Sequence, residues 1–358
     1  LDSFNSAPSS LESLCRTIIR MIGVIILLLF AFFLLKRLWL ERGFLSSAGR
    51  RVLVTGCDSG FGRLLALRLL SQGCFVFAGC YSSQGKRSLE EAARELSREQ
   101  QLEAIPLDIT SDDSVASAFR VVREHLAEHG ATLWAVVNNA GVFSIFGPDD
   151  WCTIEEYRNS LEVNTLGAIR VCHNAVPLLK QSKGRIVTMG SSAGRLHGQF
   201  VGPYCTAKFA LEAYMDCLRF ELRVFGVSVH ILEPGAFKTT LLDEDAFNSR
   251  VDKIWNKLPD STRMEYGERF RDNFKSAWTS GVSTIANPNL DWVIDDYCHA
   301  LFSTWPRFRY YTGYDAMLLF IPLSLLPTSI QDALMGVMYS LQPGPPLQPH
   351  SLLGKSSL

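Results

Sequence analysis

From Arg51 onward, short apolar runs rich in β-branched residues alternate with longer stretches in which apolar residues recur at three and four. The first pattern predicts strands at "RVLVTG", "CFVFAG", "EAIPLD", "LWAVVNN", "RIVTMG" and "VSVHILEP". The second, as in "GRLLALRLLSQG" and "SVASAFRVVREHLAEHG", predicts amphipathic helices between them. Strand and helix in alternation point to an α/β architecture, a doubly wound parallel sheet covered on both faces. Such sheets take ligands beyond the carboxyl ends of their strands, so chemistry is expected there.

The pattern changes at both ends. Residues 1–15 are polar and Ser-rich and read as a flexible tail, while "MIGVIILLLFAFFLL", Met21 to Leu35, is uncharged throughout. With "KRLWL" behind it, this run reaches the roughly 20 residues that a helix needs to cross a bilayer, so residues 16–41 are expected to be a single membrane-spanning helix. A buried core helix or a signal-peptide core is the alternative. Against it, the run is apolar on every face and no small-residue cleavage site follows directly. Arg16 and Arg20 precede the run, but Lys36, Arg37, Arg42, Arg50 and Arg51 follow it. That imbalance places the main domain in the cytosol, on an endoplasmic reticulum or mitochondrial membrane. The chain begins with Leu1 rather than methionine, so a targeting sequence upstream is not judged from it.

The main domain is expected over residues 50–315. After roughly residue 240 its rhythm gives way to "DKIWNKLPDSTRMEYGERFRDNFKSAW", read equally as a substrate-covering insertion or a solvated helical pair. Residues 316–341 form an apolar segment broken by Pro322 and Pro327. It is too short to span a bilayer and is read as an interfacial or pocket-lining piece or as one more core helix. The Pro-rich residues 342–358 read as disordered.

Composition removes several classes of function. A net charge of −1 with scattered Lys and Arg leaves no electrostatic footprint for nucleic acid. The nine cysteines form no CxxC pair or Cys/His cluster, so neither a disulfide framework nor a metal site is expected.

Two stretches carry candidate chemistry. "VLVTGCDSGFGRLL" sets Gly56, Gly60 and Gly62 between a strand and a helix, where glycines let the backbone turn sharply and approach a pyrophosphate at the helix N-terminus. The spacing differs from GxGxxG, but the position at the end of the first strand of a β/α series is that of a dinucleotide site. The end of the second strand offers Cys80 and Tyr81 rather than a ribose-binding acid, with Lys86 and Arg87 further along. NAD is the expected cofactor and NADP the alternative.

In "GPYCTAKFA", Tyr204 and Lys208 are four apart and share a helix face. A free tyrosine titrates near pH 10, so it moves protons at neutral pH only if a charge such as that ammonium or a cationic nicotinamide ring stabilises its phenolate. Ser191 and Ser192 follow a strand end in "GRIVTMGSSAGR", where a hydroxyl can hold a carbonyl oxygen, and "LEVNTLGA" supplies Asn164. Taken singly, each residue is an ordinary helix cap, turn former or surface pair. In this order, on these elements, they form a constellation.

TGCDSGFG, Asp108, NNAG, Asn164, Ser191, YCTAK and PGAFKT together resemble the short-chain dehydrogenase/reductase superfamily over roughly Arg51 to Thr240. The resemblance implies a Rossmann-type sheet, an NAD(P)-dependent alcohol dehydrogenase, and a catalytic tetrad of Asn164, Ser191, Tyr204 and Lys208. It further implies cofactor contacts from Gly56, Ser59, Gly60, Phe61, Gly62, Asn138, Ala140, Gly141, Pro234 and Gly235, besides Tyr204 and Lys208. Asp108 would meet the adenine and Thr239 the nicotinamide amide, while Asn164 would fix a water leading from Lys208. Within the superfamily the chain is similar to the branch of retinol dehydrogenases, hydroxysteroid dehydrogenases and the mitochondrial D-β-hydroxybutyrate dehydrogenase. Similarity to the last extends furthest, through "KIWNKLPDSTRMEYGERF" and "LLPTSIQD", so the resemblance implies hydride transfer with a secondary alcohol or ketone in the manner of D-3-hydroxybutyrate dehydrogenase; a retinol or hydroxysteroid dehydrogenase, whose members share the membrane helix, is the alternative. A small or lipid alcohol, a membrane and a second copy of the chain are therefore the expected partners. A membrane-tethered binding protein without chemistry would show a damaged tetrad, and the four residues are intact.

Overall fold

The computed structural model describes residues 8–143, 147–239, 243–341, 347, 349 and 350. They divide into two compact units, residues 1–46 with 302–306, and residues 47–301 with 307–358.

The first unit is built on helix α1, Pro8–Leu38. The helix begins inside the segment expected as a flexible tail, because the opening proline lacks only an N–H that a first turn leaves unbonded anyway. From Leu14 to Arg42 the helix and the turn after it are long and apolar enough to cross a membrane. Its Ile, Leu and Phe side chains, such as Ile26, Leu28 and Phe33, are exposed. Beyond it, Phe44 pairs antiparallel with Ser303, and the Leu45 N–H donates to the Phe302 carbonyl at 2.7 Å.

Among the described residues of the second unit, seven strands form one parallel sheet in the order β3-β2-β1-β4-β5-β6-β7. They are β1 (Arg51–Thr55), β2 (Phe75–Cys80), β3 (Leu102–Pro106), β4 (Leu133–Asn138), β5 (Arg185–Met189), β6 (Ser228–Pro234) and β7 (Arg309–Thr312). The first six coincide with the apolar runs of the sequence. Helices α2 (Gly60–Ser71), α3 (Ser83–Glu95), α4 (Asp112–Glu128), α5 (Ile154–Leu161), α6 (Gly167–Ser182) and α7 (Gly202–Leu222) connect them. The order reverses between β1 and β4, and a crevice opens beyond the carboxyl ends of those two strands. The central strands are apolar on both faces because both are covered: Val52, Leu53, Val54, Val136 and Ile186 are fully buried.

The region after residue 240 is helical, with α8 (Glu244–Trp255), α9 (Asp260–Tyr266), α10 (Glu268–Ile285) and α11 (Asp291–Phe302). Its charged residues lie outward, and its aromatics gather around buried Trp151 with Phe247, Trp255, Phe270 and Phe274. The late apolar segment is broken where its prolines fall. Pro322 stands in the first turn of α12 (Ile321–Ser324), and Pro327 precedes α13 (Thr328–Ser340). Of the tail expected to be disordered, only 347, 349 and 350 lie within the described residues, and Thr240 lies outside them.

Candidate active site

Beyond Thr55 the chain must turn sharply into α2. Gly56 does so at φ +71°, a left-handed conformation that glycine adopts without a steric penalty. A Cβ there would lie 2.8 Å from the Cα of Ala140. A Cβ on Gly62 would overlap the Gly56 carbonyl, so the loop is packed down onto the end of β4. Asn139 and Thr55 clasp the two strand ends. Asn139 Nδ2 donates to the carbonyls of Thr55 (3.0 Å) and Gly56 (3.2 Å), and the N–H groups of Asn139 and Ala140 donate to Thr55 Oγ1.

At Gly60 the surroundings are open. A Cβ would find nothing nearer than Thr239 at 4.0 Å, and the first turn of α2 faces a cavity. Unbonded N–H groups and the helix dipole make that turn a site for phosphate. Asp58, in the same loop, reaches the end of β2. Its carboxylate accepts from the N–H groups of Tyr81 (2.8 Å) and Ser82 (2.7 Å) and from Ser82 Oγ (2.7 Å). The acid absent from β2 in the sequence is thus supplied there from the glycine loop.

Tyr204 and Lys208 occupy successive turns of α7, both buried. Lys208 Nζ lies 5.7 Å from the centre of the Tyr204 ring and donates to the Met189 carbonyl at 2.9 Å. Ser191, just past β5, accepts from the Ala193 N–H at 3.1 Å, and its hydroxyl acts on the Tyr204 phenol. Asn164 sits in a π-helical turn, Glu162–Leu166, between α5 and α6, a distortion common at functional sites. Its amide donates to the Val142 carbonyl (3.0 Å) and accepts from the Val142 N–H (3.1 Å). A Cβ on Gly141 would crowd Asn164 Oδ1 at 2.8 Å and approach Lys208 Nζ at 3.8 Å, so glycine there keeps the space between amide and amine open.

The electrostatics of the pair leave room for a ligand. Burial pushes the Tyr204 phenol up to about 12, with the Ser191 hydroxyl acting against it. Burial brings the Lys208 ammonium down to about 8, opposed by the Glu212 carboxylate. Positive charge entering the cavity favours the phenolate and supplies what the protein alone does not.

Asn164, Ser191, Tyr204 and Lys208 line one cavity of about 1020 Å³ with Gly56, Ser59, Gly60, Phe61, Asp108, Ala140, Gly141, Pro234, Gly235 and Thr239. Two expected contacts do not line it. Asn138 is buried beneath, its amide donating to Cys172 Sγ (3.2 Å) and Thr188 Oγ1 (3.3 Å). Successive strand residues face opposite sides, and it is Asn139 that reaches the cavity. Gly62 serves packing between loop and helix instead.

The family described as short chain dehydrogenase matches residues 50–248. The chain belongs to the short-chain dehydrogenase family. It is 56% identical over 94% of its length to the 3beta-hydroxysteroid dehydrogenase dhs-16 of Caenorhabditis elegans, covering 87% of that protein. It is 38% identical over 84% of its length to retinol dehydrogenase 7 of Rattus norvegicus, covering 92% of that protein. A short-chain dehydrogenase/reductase from Burkholderia phymatum, solved in complex with NAD, shares the fold at a TM-score of 0.62 and 21% identity, over 78% of this chain and 94% of that one. The protein is accordingly an oxidoreductase related to hydroxysteroid and retinol dehydrogenases.

In this short-chain dehydrogenase the cavity beyond the tetrad is walled by apolar side chains. Phe143 stands edge-on to Tyr204 at 4.7 Å, and Trp278 of α10 lies 5.8 Å from Phe143. Leu196, Phe320, Met335 and Met338 continue the wall. Asp315 braces the opposite side, its Oδ2 accepting from the Ala236 N–H at 2.7 Å and pressing on Gly235, where no Cβ fits. Sequence reasoning missed Asp58, Phe143, Trp278 and Asp315. Asp58 stood inside the recognised loop, whereas the aromatic positions carry the same local pattern as any core helix.

Proposed function

We propose that the protein is a membrane-anchored, NAD-dependent dehydrogenase of lipid alcohols, of the hydroxysteroid or retinoid kind. The observation that carries this reading is a cavity with a proton-transfer group at one end and an extended apolar wall at the other. The glycine loop fits a dinucleotide, since Gly60 leaves open space over a helix N-terminus. When bound, the nicotinamide takes up or gives a hydride. The chain's residues do the rest. Tyr204 moves the proton at its Oη, and Ser191 orients the substrate oxygen beside it. Lys208 holds the ribose hydroxyls and favours the phenolate by its charge, and Asn164 fixes a water behind the amine. Asp108 would hold the adenine, and Pro234, Gly235 and Thr239 the nicotinamide end. Asp58 favours NAD, because its carboxylate meets a ribose hydroxyl well and a 2′-phosphate badly.

A hydroxybutyrate-like substrate is the other reading, supported by the similarity of the C-terminal third. A free carboxylate is held most strongly by a cation, and the described lining offers only Lys208, committed to the tetrad, and half-exposed His197. The lipid reading therefore fits better. It agrees with the membrane-length helix and with Leu318, Leu325 and Leu341, which expose an apolar surface next to the cavity-lining Phe320 and Met338. The purified protein in detergent should oxidise 3-hydroxysteroids or retinol in preference to 3-hydroxybutyrate. Tyr204→Phe should lower turnover by at least about 10²-fold while NADH still binds. Near-normal turnover in that variant would remove the mechanism.

A further inference from the structure

One turn beyond Lys208 on α7, Glu212 is buried, and its Cγ lies 2.8 Å from where a Cβ on Gly194 would stand. Its Oε1 likewise occupies the space of a Cβ on Gly190. The two glycines bracket the turn that carries Ser191, and the Glu212 side chain fills the room they leave. Glu212 Oε2 pairs with Arg309 of β7, which also pairs with fully buried Glu233 of β6 and, at 2.6 Å, with Asp216 of α7. Arg195, from the turn after β5, Tyr311 of β7 and Arg219 of α7, which pairs with Asp216 at 3.1 Å, also face the cluster. On the other side, Lys208 faces Glu212, the ring of Tyr204 and the Met189 carbonyl. Glu212, Glu233 and Asp216 all pair with the Arg309 guanidinium, and among the described residues Glu212 Oε1 and Glu233 Oε2 have no hydrogen-bond partner. Apolar residues of similar volume would commonly serve stability as well or better, so folding alone does not account for these charges.

We propose that Glu212, held by Arg309, is a positioning residue of the reaction that fixes the Gly190–Gly194 turn under Ser191 and preserves the charge of Lys208 through its own. The inference rests on the roles proposed above for Tyr204 and Lys208. Burial and the charge of Glu233 push the Glu212 carboxyl well above its ordinary value, and burial brings the Lys208 ammonium down against the pull of Glu212. The charge of the carboxylate, where it is present, opposes the loss of charge that burial imposes on the ammonium.

Glu212→Gln keeps the shape and removes the charge. The full chain in detergent, oxidising epiandrosterone with NAD, should lose activity on the basic side at a lower pH. The limb should move acidward by roughly one pH unit, as expected for one nearby charge at an effective dielectric of about 20 that Arg309 partly offsets. NADH binding, followed by fluorescence, should weaken over the same shifted range, and Glu212→Asp should restore both limbs. A merely structural role would lower Tm and leave the limbs in place, so an unmoved limb in folded Glu212→Gln overturns the proposal. Should that variant not fold, Glu233→Gln decides. With less repulsion Glu212 ionises sooner, Lys208 keeps its proton longer and the limb moves alkaline, whereas an unmoved or acidward limb overturns the proposal. The NADH arm needs no turnover, so a wrong substrate reading shows as absent oxidation and leaves this test intact.

Discussion

Gly62→Ala and Gly60→Ala, two residues apart in one loop, should fail in different ways. A Cβ on Gly62 would overlap the Gly56 carbonyl oxygen and lie 2.9 Å from its carbon, with Asn139 Nδ2 also too close. Neither neighbour yields easily, because Asn139 is committed to the Thr55 and Gly56 carbonyls and accepts from Tyr297 Oη at 3.1 Å. Forcing a methyl into such packing destabilises by about 1–3 kcal/mol, and each hydrogen bond lost with the displaced Asn139 adds about 1 kcal/mol. A total of about 2–5 kcal/mol lowers Tm by roughly 5–15 °C in a domain of this size. Gly60→Ala meets open space, so its penalty is the left-handed φ of +56°, about 1–2 kcal/mol. Its methyl, however, stands in the cavity over the helix N-terminus that would take the pyrophosphate. Scanning fluorimetry with and without NADH reads both effects. Gly62→Ala should show the larger loss of Tm, while Gly60→Ala should lose at least about tenfold in NADH affinity, or 1.4 kcal/mol, for a smaller loss of Tm. A Gly62→Ala protein within about 2 °C of the parent would refute the packing account.

Asp58→Asn removes the charge at the end of β2 and keeps a side chain able to cap it, so the NADP-to-NAD ratio of binding constants should rise by about tenfold or more; an unchanged ratio would mean that Asp58 only braces the turn. His230 is fully buried, with Nδ1 facing the Arg307 carbonyl at 2.6 Å and Nε2 facing Ser228 Oγ at 2.9 Å. Burial brings its imidazolium down to about 3 from 6.5. The unfolded chain therefore takes up a proton that the folded one refuses, and stability present above pH 6.5 is lost as pH falls toward 3, at up to about 1.4 kcal/mol per pH unit. His230→Gln should flatten urea-unfolding stability against pH in that window, and an unaltered slope would assign the acid sensitivity to other groups.

The elements that could be read from the chain are those whose environment is uniform along their length. Strands β1, β2, β4, β5 and β6 are covered on both faces and so appear as apolar runs, edge strand β3 buries only Ala104 and Ile105 and shows a shorter one, and α4 shows its apolar stripe because one side meets the sheet. Strand β7 gives no such signal. "RYYT" is four residues long, lies at the sheet edge, buries only Tyr310 and Thr312, and is placed by its pairing with Ile231 to Pro234. That Asn164, Ser191, Tyr204 and Lys208 would share one cavity was legible because each sits at a fixed point of a local element, whether a strand end, a helix turn or a helix distortion. The cavity wall was not, since nothing in the spacing of Phe143, Trp278 or Met335 says which distant residue each one faces. Asp58 shows the difference most clearly. An acid was sought at the end of β2 because that is where a ribose would lie. It is found there in space, yet it comes from a residue 22 positions before Cys80 that reaches across between neighbouring strands. What a ligand reads is the charge at a place, and the chain can deliver that charge from any loop that ends nearby. A residue absent from the customary position thus leaves its charge to be supplied by any loop beside that strand, as Asp58 supplies it here.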